Sequence, residues 1–408
     1  MTQIAVIGIS TLFPGSKTPE EFWQTLVNNQ DCRRQATQAQ MGVEANTFLG
    51  KKGDKDKYYC TNGGYIENFS LDADGLDIGQ EEIDQMDDLF KWPLYVAREA
   101  LRDSGYHGNS DVLKQCGIIL GNLSFPTKSS NQLFVPVYHQ TLNQILQDVL
   151  QDESFSLPRY VQEQAVSPLN ALISGLPAAM VAKALNLSGV NFALDAACAS
   201  SLYSTKLACD YLKSGRANLM LAGAVSAGDP MFVNMGFSIF QAYPENQISA
   251  PLDTRSEGLF AGEGAGMLVL KRLDDALADG DKIYATILGG GLSNDGKGHH
   301  VLSPNTKGQV TCFQRAYQSA GIDPSTIDYV ECHATGTPLG DKIELTSLEN
   351  FFAETENIPK VGSVKSNLGH LLSAAGMPGM TKVILGMENG LIPATINIEQ
   401  PQSSPNNK

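Results

Sequence analysis

Apolar side chains along this chain fall into short runs, each closing on small or polar residues. They are "IAVIGIS" (4–10), "CGIILGN" (116–122), "VNFALDAA" (190–197), "ANLMLAGAVS" (217–226), "KIYATILGGGLS" (282–293), "IDYVECHAT" (327–335) and "KVGSVKSN" (360–367). Runs of this length with little alternation read as strands buried on both faces. Between several of them the period becomes helical, as in "LFKWPLYVAREALRDSG" (89–105), "SSLYSTKLACDYLKSG" (200–215) and "QVTCFQRAYQSAG" (309–321), where Gly321 sits at a C-cap position. The alternation predicts an α/β protein built in layers. Residues 36–90 and 125–165 are more polar and less periodic, and read as excursions from the core that present partner or dimer surfaces. The "GEGAG" stretch (262–266) lacks GxGxxG spacing and runs into apolar "MLVLKRL", so close packing beside a strand is favoured over nucleotide binding.

Composition narrows the function. With 408 residues and 42% hydrophobic side chains the chain can bury a large core. No apolar run approaches the ~20 residues that cross a bilayer, and "MTQIAVIGIS" has no Lys or Arg ahead of its apolar part, as a secretory signal would. The seven cysteines are odd in number and form no CxxC pair, which argues for a reducing cytoplasm and against a disulfide framework. Neither they nor the adjacent His299 and His300 with Cys312 have metal-ligand spacing, so no metal is expected. A net charge of −15 argues against a broad nucleic-acid surface. An acidic partner would need a local basic patch, for which Lys206, Lys213 and Arg216, or the "KKGDKDK" run, compete with ordinary solvated surface.

Candidate chemistry centres on Cys198, where the run 190–194 gives way to "DAACASS" and then to a helical pattern. A thiol at a helix N-terminus sees unpaired N–H groups and the positive end of the macrodipole, which favour a thiolate. A buried structural cysteine is the alternative. His333 and His370 each follow a predicted strand, in "ECHATGTPLGD" and "SVKSNLGHLLSAAG", where loops build sites in α/β proteins, and Lys365 lies close to the second.

"DAACASSL", "HATGTPLGD" and "VKSNLGH", in that order and 135 and then 37 residues apart by cysteine and histidine, resemble the three signature motifs of the β-ketoacyl synthases. The resemblance runs from "IAVIGISTLFPGS" through "RSEGLFAGEGAGMLVLKRL" to "GLIPATINIEQP", and its finer texture is similar to ketosynthase domains of polyunsaturated-fatty-acid and iterative type I polyketide synthases. It implies a thiolase-like fold in which two similar βαβαβαββ halves form a five-layer α/β/α/β/α body that dimerises. Residues 1–270 would carry the cysteine and residues 271–408 both histidines, with the site where the halves meet.

The resemblance also implies roles. Cys198 would take an acyl chain as a thioester, and His333 and His370 would hold the malonyl carbonyl oxygen while CO2 leaves. Lys365 and Glu344 would order the histidines and the local charge, a structural ion pair being the alternative. Thr335 and Thr337 would contact the phosphopantetheine arm, unless their hydroxyls serve as turn caps. Phe237 would line the acyl pocket. No cofactor would bind directly, since substrates ride on the phosphopantetheine of an acyl carrier protein. With no GxSxG or carrier-serine motif present, acyltransferase and carrier would be supplied from elsewhere, and the resemblance implies other synthase domains or subunits (acyltransferase, reductase, dehydratase) as partners. Family members continue past "IPATINIEQP" to a segment similar to GFGGTNAH that supplies an oxyanion-hole N–H; by that resemblance the chain would be truncated at its C-terminus, as a fragment of a longer synthase or a cut reading frame, or be completed by another polypeptide. Two alternatives follow, a condensing-enzyme-like fragment or partner subunit without activity of its own, and a thiolase. Partner subunits lack the cysteine, and thiolases pair it with one histidine and a second cysteine.

Overall fold

The computed structural model describes residues 2–44, 46–159, 166–297 and 303–404, so His299 and His300 lie outside the described residues. Its main sheet has six strands in the order Asn191–Leu194, Cys116–Gly121, Leu219–Ser226, Gly264–Arg272, Ile4–Leu12 and Ala285–Ile287. The first three run parallel, and Gly264–Arg272 is antiparallel to both of its neighbours. Successive side chains point to opposite faces, and here both faces are covered. Ala5, Ile7, Ile118 and Leu120 enter one core with the helices Asp88–Asp103 and Leu176–Ala184. Ile4, Val6 and Ile119 enter another with the helices Ser200–Lys213 and Gly376–Asn389. That double burial explains the unbroken apolar runs of the sequence.

The helix Gly376–Asn389 also touches a second sheet, the parallel pair Tyr329–Glu331 and Lys360–Gly362, through Lys382 and Glu331. Beyond that pair, Phe313, Tyr317, Leu345, Leu348 and Phe352 pack the helices Thr306–Ala320 and Pro338–Phe351 around Cys332 and Ala334. The body is therefore layered α/β/α/β/α.

Three local expectations need correction. The run 282–293 forms a strand only at Ala285–Ile287, and this strand joins the first sheet, antiparallel to Ile4–Val6. Past it the backbone lies against the helix Thr306–Ala320, so closely that a Cβ on Gly291 would stand 2.3 Å from the Cys312 carbonyl oxygen. The "GEGAG" glycines pack closely, a Cβ on Gly264 standing 2.6 Å from the Leu12 carbonyl oxygen, but the last three residues of the segment are themselves strand, opening Gly264–Arg272 in the middle of the sheet. Finally, 125–165 holds a 23-residue helix, Lys128–Leu150, started by a Thr127–Ser130 capping box. Its apolar side chains, Val137 (60% exposed), Tyr138 (65%) and Val149 (73%) among them, face outward, so the expected partner-surface character rests on a helix and not on irregular chain.

Candidate active site

Cys198 lies at the turn between the strand Asn191–Leu194 and the helix Ser200–Lys213. Ala197 before it adopts the left-handed conformation, φ 50°. The Ser200 hydroxyl holds the turn, accepting from the Ala196 N–H (2.9 Å) and donating to the Ala197 carbonyl (2.7 Å), while Asp195 accepts from the Ala197 N–H (2.8 Å). No side chain caps the helix at Ala199, and the Ala199 and Ser200 N–H groups donate to the Ala196 and Ala197 carbonyls of the turn (both 3.1 Å). Burial pushes the Cys198 thiol up from its ordinary value, with the Lys365 ammonium pulling it back. Burial thus works against the thiolate character that the helix N-terminus lends the sulfur, and Lys365 works for it.

His370 is buried, and its Nε2 lies 3.0 Å from Cys198 Sγ. Its backbone is tied on both sides to the segment before Gly264–Arg272, the His370 N–H donating to the Phe260 carbonyl (2.7 Å) and the Gly262 N–H to the His370 carbonyl (2.8 Å). Gly369 allows the approach, since a Cβ there would stand 2.8 Å from the Phe260 carbonyl oxygen at φ +77°. His370 Nδ1 is buried without a hydrogen-bond partner. An orphaned lone pair is less costly than an orphaned N–H, so we assign the ring proton to Nε2, facing the sulfur.

The His333 ring meets that of His370 edge to face, with centroids 5.3 Å apart. The Cys198 sulfur and one nitrogen of each imidazole all fall within 4.8 Å of one another. Glu344 holds the His333 loop from the following helix, its two oxygens accepting from the His333 N–H (2.7 Å) and the Ala334 N–H (2.6 Å). Glu344 also acts on Lys365 as a neighbouring charge. Asp341, which sequence reasoning passes over although "PLGD" contains it, ties the same loop to Leu252, accepting from the Gly336 and Leu252 N–H groups (3.2 and 2.9 Å).

Electrostatics fix the protonation states. The surrounding protein and the Lys365 ammonium push His333 down to about 3, and His370 well below its usual value. His333 nevertheless keeps an exposed edge towards solvent, which limits how far burial acts on it; the Lys365 charge acts in the same direction, so a neutral imidazole stands. Burial also lowers buried Lys365, while Glu331 and then Glu344 hold it up. The site therefore offers neutral imidazoles beside a lysine, an arrangement that donates N–H to a developing oxyanion without first losing a proton.

Cys198, His333, Lys365 and Glu331 line a cleft of about 330 Å³. A larger one, about 530 Å³, lined by Trp23, Tyr95, Glu99 and Tyr284 among others, contains no cysteine or histidine. Thr335 and Thr337 hydroxyls lie 3.1 Å apart, and Thr337 makes no side-chain cap bond to the helix it precedes, so that hydroxyl is not spent as a cap. Phe237 stands apart from the cleft lining, packed near Tyr243, Phe260 and Leu372, a cluster that adjoins the His370 segment. A sulfur and two imidazoles are donors a zinc ion takes, but the Lys365 ammonium beside them opposes a dication.

Five layers, with a cysteine at a strand-to-helix turn facing two histidines brought in from the second sheet's loops, define a thiolase-like protein with a Cys–His–His centre. The chain belongs to the β-ketoacyl synthase family: the family's N-terminal domain matches residues 1–276 and its C-terminal domain residues 284–399. Two subunits of the polyunsaturated fatty acid synthase of Thraustochytrium sp. are 36% and 35% identical to it, over 97% and 98% of this chain. The chain spans 19% and 14% of those two proteins. Among solved structures, a PfaC keto synthase–chain length factor superposes with a TM-score of 0.97 at 61% identity, over all of this chain and 44% of that one. The ketosynthase from module 6 of the bacillaene synthase of Bacillus subtilis follows the same fold, with a TM-score of 0.76 at 31% identity over 98% of this chain and 64% of that one.

Proposed function

We propose that this chain is a β-ketoacyl-acyl-carrier-protein synthase that performs decarboxylative Claisen condensation in fatty-acid or polyketide elongation. The observation that carries this reading is the 3.0 Å approach of His370 Nε2 to Cys198 Sγ, with His333 beside both. In the first half-reaction the Cys198 sulfur, losing its proton, attacks an acyl thioester, and the carrier's phosphopantetheine thiol leaves with a proton. In the second, a malonyl thioester loses CO2 while His333 and His370 donate N–H groups to the enolate oxygen. The enolate carbon then attacks the acyl group on Cys198, the C–S bond breaks, and a β-ketoacyl thioester departs on the carrier. Lys365 and Glu344 set the charge and the loop geometry, Thr335 and Thr337 receive the phosphopantetheine arm, and Phe237 borders the acyl pocket.

Residues 1–270 and 271–408 act as the two halves of this unit. An acyl carrier protein supplies both substrates, and acyltransferase, reductase and dehydratase units of a larger synthase do the remaining work, in keeping with the multidomain synthases to which the chain is similar. The exposed apolar helix Lys128–Leu150 supports association with a second ketosynthase-like unit, as in a homodimer. No helix among the described residues is long and apolar enough to cross a membrane; we place the protein in the cytoplasm on the strength of its free cysteines. The chain-length-factor half of the PfaC-like pair is the second reading, and the presence of Cys198 favours the condensing half. Transfer of a radiolabelled acyl group from carrier protein to the wild type, and its loss in Cys198→Ala, is the expected result. Labelling that survives Cys198→Ala would remove the nucleophile.

A further inference from the structure

Behind the cleft lies a buried charge couple that the condensation steps do not use. Lys382, 1% exposed on the helix Gly376–Asn389, places Nζ 2.8 Å from Glu331 Oε2 and donates to the Tyr329 hydroxyl at 2.8 Å. The Tyr329 hydroxyl in turn donates to Glu331 Oε2 (2.5 Å). Glu331 Oε1 accepts from the Val364 N–H (2.6 Å), the residue before Lys365. One carboxylate thus joins a lysine on the central helix to the backbone that presents the active-site lysine, and it lines the same cleft as Cys198 and His333.

Stability alone does not account for the couple. An apolar pair of similar volume in a buried site is commonly as stable as an ion pair, because desolvation offsets the Coulombic gain. Its placement does account for it. Glu331 and Glu344 face Lys365 together with the sulfurs of Cys198 and Cys332, while Lys365, Asp195 and His370 face Cys198. Unpaired, the Glu331 carboxylate would put a full negative charge beside the place where a thiolate and then an enolate develop. Paired with Lys382, it can orient the Val364–Lys365 backbone at little electrostatic cost to the sulfur.

We infer that Lys382, through Glu331 and Tyr329, is a positioning residue that tunes the potential at Lys365 and Cys198. The inference rests on the proposed function only in treating Cys198 as the reactive thiol; acyl loading of that thiol fails or stands in the acyl-transfer assay, independently of how the thiol titrates. The test is the pH profile of iodoacetamide alkylation at Cys198 in the intact protein, read by mass spectrometry of its peptide. Lys382→Met leaves Glu331 uncompensated and should move the midpoint upward by about one pH unit, the size a nearby charge exerts. Glu331→Gln, which keeps an acceptor for Val364, should move it downward, and the double variant should return close to wild type. Midpoints that shift in the same direction in both single variants, or that stay put while the melting temperature falls, would reduce the couple to a structural ion pair. Should Lys382→Met fail to fold, Glu331→Gln and the double variant still decide: equal midpoints in those two would overturn the inference.

Discussion

Nε2 of His370 lies 3.0 Å from Sγ of Cys198 across 172 residues of chain. Because the His370 backbone is locked to Phe260 and Gly262, this contact belongs to the fold, and the loop's path survives replacement of the ring. Loading of the cysteine and decarboxylation of the malonyl unit should therefore come apart. His333→Ala and His370→Ala are each expected to slow malonyl-carrier decarboxylation about 10²–10³-fold, the scale of losing one oxyanion donor, while acyl loading of Cys198 changes much less. Single-turnover assays of the two half-reactions measure this, and equal losses in both would count against the oxyanion role.

Ala197 holds φ 50° immediately before Cys198. A side chain in this region costs about 1–2 kcal/mol relative to glycine, and a β-branched one more. Ala197→Gly should fold with little change in melting temperature, since relief of strain offsets the added freedom of the unfolded chain. Ala197→Val should lower the melting temperature and slow alkylation of Cys198 by turning the thiol off its line. If the valine variant melts and alkylates like wild type, the turn does not aim the sulfur.

The site is more legible in the sequence than the sheets around it. Cys198, His333, His370 and Lys365 stand out because reactive side chains sit among small residues after apolar runs, and the fold sets Cys198, His333 and Lys365 at one cleft with His370 against the Cys198 sulfur. Glu331 and Lys382 do not stand out, because a Glu in a strand and a Lys in a helix are unremarkable until the packing of Gly376–Asn389 on Tyr329–Glu331 makes them partners. The start of Gly264–Arg272 is obscured because the glycines of "GEGAG" do not look like strand, whereas they let neighbouring chain come close to a central one. The helix Lys128–Leu150 is hidden for the opposite reason: among its described residues only Ser130 is buried, so no apolar stripe marks a core-facing side.

Glu263 gives the protein a pH signature away from the cleft. Burial raises its carboxyl from 4.5 to about 8, with the Ile66 N–H (2.8 Å) and Lys128 offsetting part of the rise. A folded-state value above the unfolded one means that, between these limits, the native chain holds a proton the unfolded chain has lost. Stability from this group is thus full below the unfolded value and is lost as pH rises towards 8. Glu263→Gln keeps the acceptor for Ile66 and removes the titration. Its stability relative to wild type should grow between pH 5 and pH 8.5 by at least about 1 kcal/mol, read from denaturant melts. A difference that stays constant with pH would show that the carboxyl is already ionised in the native protein.

The helix Lys128–Leu150 exposes Tyr138 and Val149 at 65% and 73%, more apolar surface than a lone surface helix ordinarily shows. If that face meets a second ketosynthase-like unit, polar replacements should weaken association without disturbing the fold. Tyr138→Ser with Val149→Lys removes no buried contact, so the stability of the isolated unit should change by no more than about 0.5 kcal/mol. Charge at the centre of an apolar contact, by contrast, leaves an unpaired ion to desolvate, and the dissociation constant should rise at least about tenfold. Sedimentation equilibrium of wild type and double variant over a range of concentrations separates the two effects. Unchanged association would place the partner surface elsewhere on the molecule.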